Sequence, residues 1–238
     1  MEIKLDVGFC FYETDLATVK RAIESIKEHV RYIFAIDGKY EFFESDDELS
    51  SPDVRMYLSC ISNVILVDAP NLKEPEKRNK YIDLAKKYNS DWMLMLDADE
   101  YITDETDWER VYEYLPQISG SEPAIWGATL RSSNGKELSY PRMWRNPHKI
   151  RYMKTHNFFE FQTDHRVFKS SVTWPKIPGI FIKGNDKMRS KEYVDKSYQY
   201  QKKLMAYEKP YKEQYRKIAE NTKNYTNDPR LPPGIPLM

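Results

Sequence analysis

Cysteine is scarce in this chain of 238 residues, with only Cys10 and Cys60 present. Two isolated thiols in apolar surroundings exclude a disulfide framework and a cysteine-based metal site, and they predict two small buried side chains. Long apolar runs are also missing, because the run from Trp92 to Leu96 has five residues whereas a membrane-spanning helix needs about 20. No signal-peptide pattern is present, so we expect a soluble cytoplasmic protein.

Net charge is absent as well, since 37 basic residues balance 37 acidic ones. The balance conceals an asymmetry. Residues 1–119 contain 14 Lys and Arg against 26 Asp and Glu, a net of −12, and residues 120–238 contain 23 against 11, a net of +12. An acidic half that binds a cation and a basic half that faces anions would suit a phosphate-bearing substrate, and the basic half leaves peripheral membrane contact open. Simple attraction between the two halves is the alternative.

Strand and helix patterns alternate along the first 115 residues. Short apolar or β-branched runs predict strands, and apolar residues at helical spacing predict the helices between them. The predicted strands are 3–11, 32–36, 63–67 and 92–96, and the predicted helices begin near Leu16, at Pro52, at Pro75 and after Thr106 as N-cap. This alternation is typical of a layered α/β sheet with parallel strands. Gly8 in the first strand marks a place where the backbone can approach a ligand.

The pattern changes after residue 123. A strand is predicted at 124–131 and a turn at 133–136, and short segments at 143–145 and 150–153 indicate an irregular, partly antiparallel region. Residues 194–219 predict a helix that is interrupted at Pro210. Four prolines in 227–238 predict an extended or disordered tail. We therefore expect one domain over 1–225, with a helical extension over 191–225, and a tail over 226–238.

Three carboxylates directly follow the fourth predicted strand, in Asp97-Ala98-Asp99-Glu100. They stand at the carboxyl end of a buried parallel strand, where open α/β sheets bind ligands. Two carboxylates at i and i+2 repel each other at neutral pH, and a cation between them removes the repulsion. Such oxygen ligands suit Mg²⁺ or Mn²⁺, completed by substrate phosphates and water. The motif predicts a metal-assisted phosphate-ester site; the alternative is that the acids only cap the next helix.

Several segments along the chain form a set that occurs together in one enzyme family. They are Asp37-Gly38 after a strand, Lys77-Arg78-Asn79 at the start of a helix, the Asp-x-Asp motif at 97–99, Pro141-Arg142-Met143-Trp144-Arg145-Asn146, Ile150-Arg151-Tyr152 and His156. The set resembles the nucleotide-sugar glycosyltransferases of the GT-A fold, most closely the inverting enzymes of family 2, over about residues 3–165. The resemblance implies a GT-A (Rossmann-like) mixed α/β sheet flanked by helices. Residues 1–120 would form the nucleotide and metal half, and 121–190 the acceptor half.

The resemblance also implies the reaction: a metal-dependent hexosyltransferase-type enzyme moves a sugar from a nucleoside-diphosphate donor to a hydroxyl of a glycan, lipid or protein acceptor. No nucleic acid is implied. Asp37 would hydrogen-bond the nucleoside of the donor. Lys77 and Arg78 would lie near its base or diphosphate, and Asp97 would face its ribose.

The implied metal site contains Asp97, Asp99 and His156, with Mg²⁺ or Mn²⁺ bridging the two phosphates. Asp99 is the expected metal ligand, and His156 a further ligand or a phosphate contact. Many relatives place a histidine after the strand near 181–184, where this chain has Gly184-Asn185. This departure puts more weight on His156, or leaves the metal with carboxylate and water ligands alone.

An inverting reaction also needs a general base for the acceptor hydroxyl. Glu160 and Asp164 are the candidates, because they follow the expected sugar-binding region. Aromatic neighbours could raise the pKa of Glu160 toward a useful value. The alternative is that Glu160 pairs with Arg142 or Arg145, and the sequence favours neither reading.

Two other classes remain as alternatives. Nucleotidyltransferases acting on sugar phosphates normally have a Gly-rich basic loop after the first strand, whereas residues 8–13 contain one glycine and no Lys or Arg. A non-catalytic glycosyltransferase-like module that binds a nucleotide or glycan would keep the crevice without the chemistry. The intact Asp97 and Asp99 argue against that module.

Overall fold

The computed structural model describes residues 3–120, 122, 124–131, 136–154, 158–163, 165–169, 175–184 and 191–221. The strands are β1 (Leu5–Phe11), β2 (Ile33–Asp37), β3 (Val64–Asp68), β4 (Trp92–Asp97), β5 (Glu100–Ile102), β6 (Ala124–Arg131), β7 (Glu137–Arg145), β8 (Ile150–Tyr152), β9 (Phe158–Phe161), β10 (Arg166–Lys169) and β11 (Lys176–Gly184). The α-helices are α1 (Leu16–Glu24), α2 (Pro52–Ser59), α3 (Glu74–Tyr88), α4 (Trp108–Tyr114) and α5 (Lys191–Asn221).

Four parallel strands, in the order β3-β2-β1-β4, form the first half of the main sheet. β1 and β2 are buried along their whole length, which explains their continuous apolar sequences, because helices cover both faces. Phe11 at the end of β1 pairs with Asp37, and Cys10 pairs with Asp97. Asp37 and Asp97 therefore end strands on either side of β1, at one edge of the sheet.

The second half of the sheet is mixed, and it curls. The order continues β4-β7-β6-β11-β5, with β6 and β11 parallel and the other neighbours antiparallel. In a flat sheet, four strand spacings would put β4 and β5 about 19 Å apart. The three residues from Asp97 to Glu100 can span only about 10 Å. The sheet must therefore curl around the Asp-x-Asp turn, which places that turn inside a concave edge.

Helices cover both faces of the sheet, as expected for this fold class. One core contains buried residues of α1, α2 and α4 packed on β1, β2, β4, β6 and β11. The other core contains α3, with Tyr81, Ile82 and Ala85, packed on β1, β2 and β4 and on the small sheet β10-β9-β8. The predicted mixed α/β sheet flanked by helices, with a helical carboxyl-terminal extension, is confirmed. Among the described residues, no helix combines the length and the apolar character needed to cross a membrane.

The prediction that Pro210 interrupts the last helix is wrong, since α5 runs unbroken from Lys191 to Asn221. A proline inside a helix removes one backbone hydrogen bond. Here aromatic packing continues across it, with ring centroids 5.4 Å apart for Tyr207 and Tyr211 and 6.4 Å apart for Tyr211 and Tyr215. Tyr215 also packs on Phe158 of β9 at 5.8 Å. Contacts on both sides of the proline therefore hold the helix together.

Smaller predictions about single residues also need correction. Asp107 rather than Thr106 caps α4, because its carboxylate accepts the Arg110 backbone N–H at 3.0 Å. Cys10 is buried but Cys60 is exposed. At Gly8 the close approach is to α3, because a Cβ there would lie 2.7 Å from the ring of Tyr81. The predicted turn at 133–136 lies largely outside the described residues, and the tail at 226–238 lies wholly outside them.

Candidate active site

A cavity of about 230 Å³ opens at the carboxyl edge of the parallel strands, beside the Asp-x-Asp turn. The ends of β1 and β4, the segment after β2, the start of α3 and one face of α5 enclose it. Its lining residues are Cys10, Phe11, Tyr12, Thr14, Tyr40, Phe43, Glu74, Arg78, Asp97, Ala98, Asp99, Ser197, Tyr200 and Gln201. One side is polar and carries Glu74, Arg78, Asp97 and Asp99. The opposite side is aromatic.

The polar side rests on a chain of alternating charges. Arg78 Nη2 lies 2.9 Å from Glu74 Oε1 and 2.7 Å from Asp97 Oδ1. Arg142 Nη2 lies 2.7 Å from Asp97 Oδ2 and 2.6 Å from Glu100 Oε1. Glu100 also accepts the Asp97 backbone N–H at 3.0 Å. Each oxygen of Asp97 is therefore bound by a different guanidinium group.

These contacts set opposite protonation behaviour in the two acids of the network. Burial would raise the pKa of Asp97, but Arg142 and Arg78 outweigh burial and hold that pKa well below its usual range. Burial raises the pKa of Glu100 to about 7, although Arg142 favours its ionised form. Asp97 is thus a permanent anion committed to two arginines, which limits its availability as a metal ligand.

Asp99 is placed differently from Asp97, although both line the cavity. Among the described residues, no group of three or more His, Cys, Asp and Glu side chains is arranged to hold a metal ion. The donor set nevertheless fits Mg²⁺, which proteins often bind through one or two carboxylates, with substrate phosphates and water completing the shell. His156, the other expected ligand, lies outside the described residues.

Lys77 and Asp37 are fully buried and do not line the cavity, so they act within the fold around it. The Lys77 ammonium donates to the carbonyls of Phe11, at 2.8 Å, and of Gly38, which ties the ends of β1 and β2 together. It also lies 4.1 Å from the ring centroid of Tyr40. Burial lowers the pKa of Lys77 to about 8.

Asp37 anchors the segment after β2 rather than facing the cavity. Its carboxylate accepts the Ser50 hydroxyl at 2.7 Å and the Ser50 backbone N–H at 3.2 Å, and it pairs with Arg55 of α2. Arg55 also reaches Asp68 at the end of β3, at 2.9 Å. The predicted contact of Asp37 with the nucleoside stays a prediction, and the contacts seen for its carboxylate are with Ser50 and Arg55. The carboxylate fixes the loop that carries Tyr40 and Phe43.

The aromatic side of the cavity is a cluster that sequence reasoning missed. Tyr12, Phe43 and Tyr200 are buried, and Tyr40 packs with them. Ring centroids are 5.5 Å apart for Tyr12 and Phe43, 5.4 Å for Tyr40 and Tyr200, and 6.0 Å for Phe43 and Tyr200. The sequence shows aromatic residues in 39–51 and in α5. Nothing in it indicates that these two distant segments pack against each other.

Of the two candidates for the general base, Glu160 is among the described residues, and it does not line this cavity. Glu160 is on β9 in the small sheet, and its Oε1 lies 2.7 Å from His165 Nδ1. It pairs with neither Arg142, which binds Asp97 and Glu100, nor Arg145, which donates to backbone carbonyls. Asp164 lies outside the described residues.

Comparisons with known proteins add little to this geometry. No family model matches the chain, and no curated protein does. Among solved structures, S. aureus TarS is similar at 14% identity and a TM-score of 0.39, over 56% of this chain and 23% of that one, so the chain spans about a quarter of TarS. A structure of TarS residues 1–349 is similar at 12% identity and a TM-score of 0.45, over 96% of this chain and 73% of that one. Similarities this weak do not extend to function.

Proposed function

We propose that the protein is a GT-A-type glycosyltransferase that transfers a sugar from a nucleoside diphosphate to an acceptor hydroxyl. The observation that carries the proposal is the two-sided cavity at the carboxyl edge of β1 and β4, with Asp99 on its polar side and aromatic rings opposite. A nucleotide sugar has the matching chemistry, namely a planar base, a ribose and a diphosphate. The cavity volume of about 230 Å³ is below the range of about 300–1,000 Å³ usual for drug-sized ligands. The donor would therefore be only partly enclosed, with the sugar extending outward past Asp99.

The charge of the polar side explains why a divalent cation belongs to the proposal. Four carboxyl groups, those of Glu74, Asp97, Asp99 and Glu100, stand against two guanidinium groups. A diphosphate alone would be repelled by this net negative charge. Mg²⁺ or Mn²⁺ held by Asp99, with His156 as a proposed second ligand, would supply the positive charge that stabilises a departing nucleoside diphosphate.

The chain's own residues contribute position and electrostatics. Arg78 and Arg142 fix both oxygens of Asp97, so that its carboxylate keeps one orientation beside Asp99. We propose that in this orientation Asp97 accepts a hydrogen bond from a ribose hydroxyl. Arg78 is the basic side chain among the described residues that line the cavity, and we propose that it faces the phosphates.

The acceptor side is proposed on the resemblance alone. It comprises inversion, a glycan, lipid or protein acceptor, and Glu160 or Asp164 as general base. Cytoplasmic location and peripheral membrane contact through the basic half belong to the same proposal. A nucleotidyltransferase is less favoured, because no Lys or Arg of the segment after β1 lines the cavity.

The first test is thermal unfolding with UDP, GDP, CMP or dTDP, each with and without Mn²⁺. A ligand at 100 times its Kd stabilises a protein by about 2.7 kcal/mol, which raises the Tm of a chain of this size by several degrees. We expect one nucleotide to stabilise the protein only when the metal is present. The wild-type enzyme should then hydrolyse or transfer the sugar of the corresponding nucleotide sugar.

Asp99→Ala should abolish the metal-dependent shift and lower turnover by on the order of a hundredfold or more. Asp104→Ala is the matched control, since Asp104 is exposed, lies five positions further on and is outside the cavity lining. Normal turnover by Asp99→Ala would show that the metal site is misassigned. Nucleotide binding without any turnover of a donor would favour the non-catalytic module.

A further inference from the structure

The carboxyl-terminal helix α5 forms part of the cavity wall. Ser197, Tyr200 and Gln201 line the cavity, and their spacing of three and four residues puts them on one face of the helix. The next residue on that face is Leu204, which is buried in the same aromatic cluster as Tyr200. Almost 160 residues separate Tyr200 from Tyr40, against which it packs. The wall therefore exists only when α5 is docked.

Several contacts hold α5 against the segment after β2 and against the start of α3. Lys203 Nζ lies 2.6 Å from Glu44 Oε1, and the rings of Phe42 and Tyr207 lie 5.8 Å apart. Lys73 at the start of α3 lies 5.0 Å from the ring centroid of Tyr207. The contacts of Glu44 and Phe42 come from the loop after β2, which Ser50 and Asp37 anchor beside α2. The position of Tyr200 is therefore determined by the fold.

The two sides of the cavity divide a nucleotide between them. The carboxylates and Arg78 suit the ribose and the metal-bound phosphates, whereas the rings of Tyr40 and Tyr200, tilted by 36° to each other, provide an aromatic surface on the opposite side. Aromatic side chains bind nucleobases by stacking, whichever base is present. We propose, on the basis of the function proposed above, that the donor's nucleobase stacks on this surface and that Tyr200 of α5 is a nucleobase-binding residue.

The test separates the base from the phosphates by using two probes. Calorimetry would measure the Kd of the Mn²⁺ complexes of UDP, GDP and dTDP, and that of Mn²⁺-pyrophosphate, which lacks a base. Tyr200→Ala should raise the Kd for the preferred nucleoside diphosphate by about 5- to 150-fold. It should change the Kd for pyrophosphate by less than twofold. Tyr200→Phe should bind both probes like the wild type, because it keeps the ring.

Tyr198→Ala is the matched control on the same helix, since Tyr198 is 66% exposed and outside the cavity lining. It should leave both Kd values unchanged. Equal weakening of nucleotide and pyrophosphate by Tyr200→Ala would overturn the inference, because Tyr200 would then support the whole site rather than the base. Unchanged nucleotide affinity would overturn it as well, while leaving the proposed function intact. A wild-type protein that binds no nucleoside diphosphate would overturn the proposed function itself.

Discussion

Arg142 offers the sharpest test of the charge network. Its side chain is 11% exposed and bridges Asp97 Oδ2 at 2.7 Å and Glu100 Oε1 at 2.6 Å. Arg142→Met keeps much of the buried volume but leaves the buried Glu100 carboxylate and the half-buried Asp97 carboxylate without the cation between them. Removing one partner from a buried ion pair typically costs about 3–5 kcal/mol, because the remaining charge stays desolvated. We expect a loss in this range in the free energy of unfolding.

Arg131 provides a matched control on the neighbouring strand. It also bridges two carboxylates, those of Glu105 and Glu137, but these are 61% and 43% exposed. Ion pairs in contact with solvent contribute at most about 1 kcal/mol. Arg131→Met should therefore lower the free energy of unfolding by no more than about 1 kcal/mol. Urea unfolding followed by tryptophan fluorescence would measure both variants, and a comparable small loss in the two would refute the buried network as a source of stability.

The pH dependence adds an independent check. The pKa of Glu100 is raised from 4.5 to about 7 in the folded protein, so between these values the folded state binds more protons than the unfolded chain. The contribution of Glu100 to stability therefore falls as pH rises through this window. Without Arg142 the pKa of Glu100 rises further, because the positive charge that favours its ionised form is lost. The penalty of Arg142→Met should be larger at pH 8 than at pH 5.5, and Glu100→Gln should relieve most of the difference.

Two further predictions concern Lys77 and Glu160. The pKa of Lys77 falls from 10.5 to about 8 on folding, so the folded protein binds fewer protons between these values. The stability of the wild type relative to Lys77→Met should then rise with pH across the window, by about 3 kcal/mol in total. A stability difference, measured by urea unfolding, that does not change with pH would contradict the lowered pKa of Lys77. Glu160→Gln should leave nucleotide binding unchanged and slow sugar transfer by roughly 10²–10⁴-fold. An unchanged rate would leave Asp164 as the remaining candidate base.

Local patterns predicted most of the parallel half of the sheet. β1, β2 and β4 are continuous buried runs, and the predicted strands overlap them, because burial on both faces leaves an unmistakable apolar sequence. The short strand β5 was not predicted. It has three residues and exists only because Ile102 pairs with Ile182, about 80 positions later. No pattern within its own sequence carries that information.

Site residues were predicted by type and strand position, but their partners were not. Asp37 does end β2 and Lys77 does lie in the first turns of α3, as expected. Both nevertheless turn into the fold, because Arg55 is available to Asp37 and the Phe11 carbonyl is available to Lys77. Such pairings depend on the packing of α2 and α3 against the strand ends. For the same reason Tyr200, on a helix far along the chain, could not be assigned to the site.

The two aspartates of the Asp-x-Asp motif illustrate what the curl of the sheet adds to the motif itself. In the sequence a single alanine separates them. Asp97 nevertheless ends β4, where it contacts Arg142 of the antiparallel neighbour β7. Asp99 lies beyond the strand, in the turn that β5 closes. If a metal binds there, the arginines on Asp97 keep its charge from competing for the cation and from repelling Asp99. The separate roles that we propose for the two acids, one binding the nucleoside and the other the metal, rest on this difference, because Arg142 of the neighbouring strand binds Asp97 whereas Asp99 lies in the turn beyond β4.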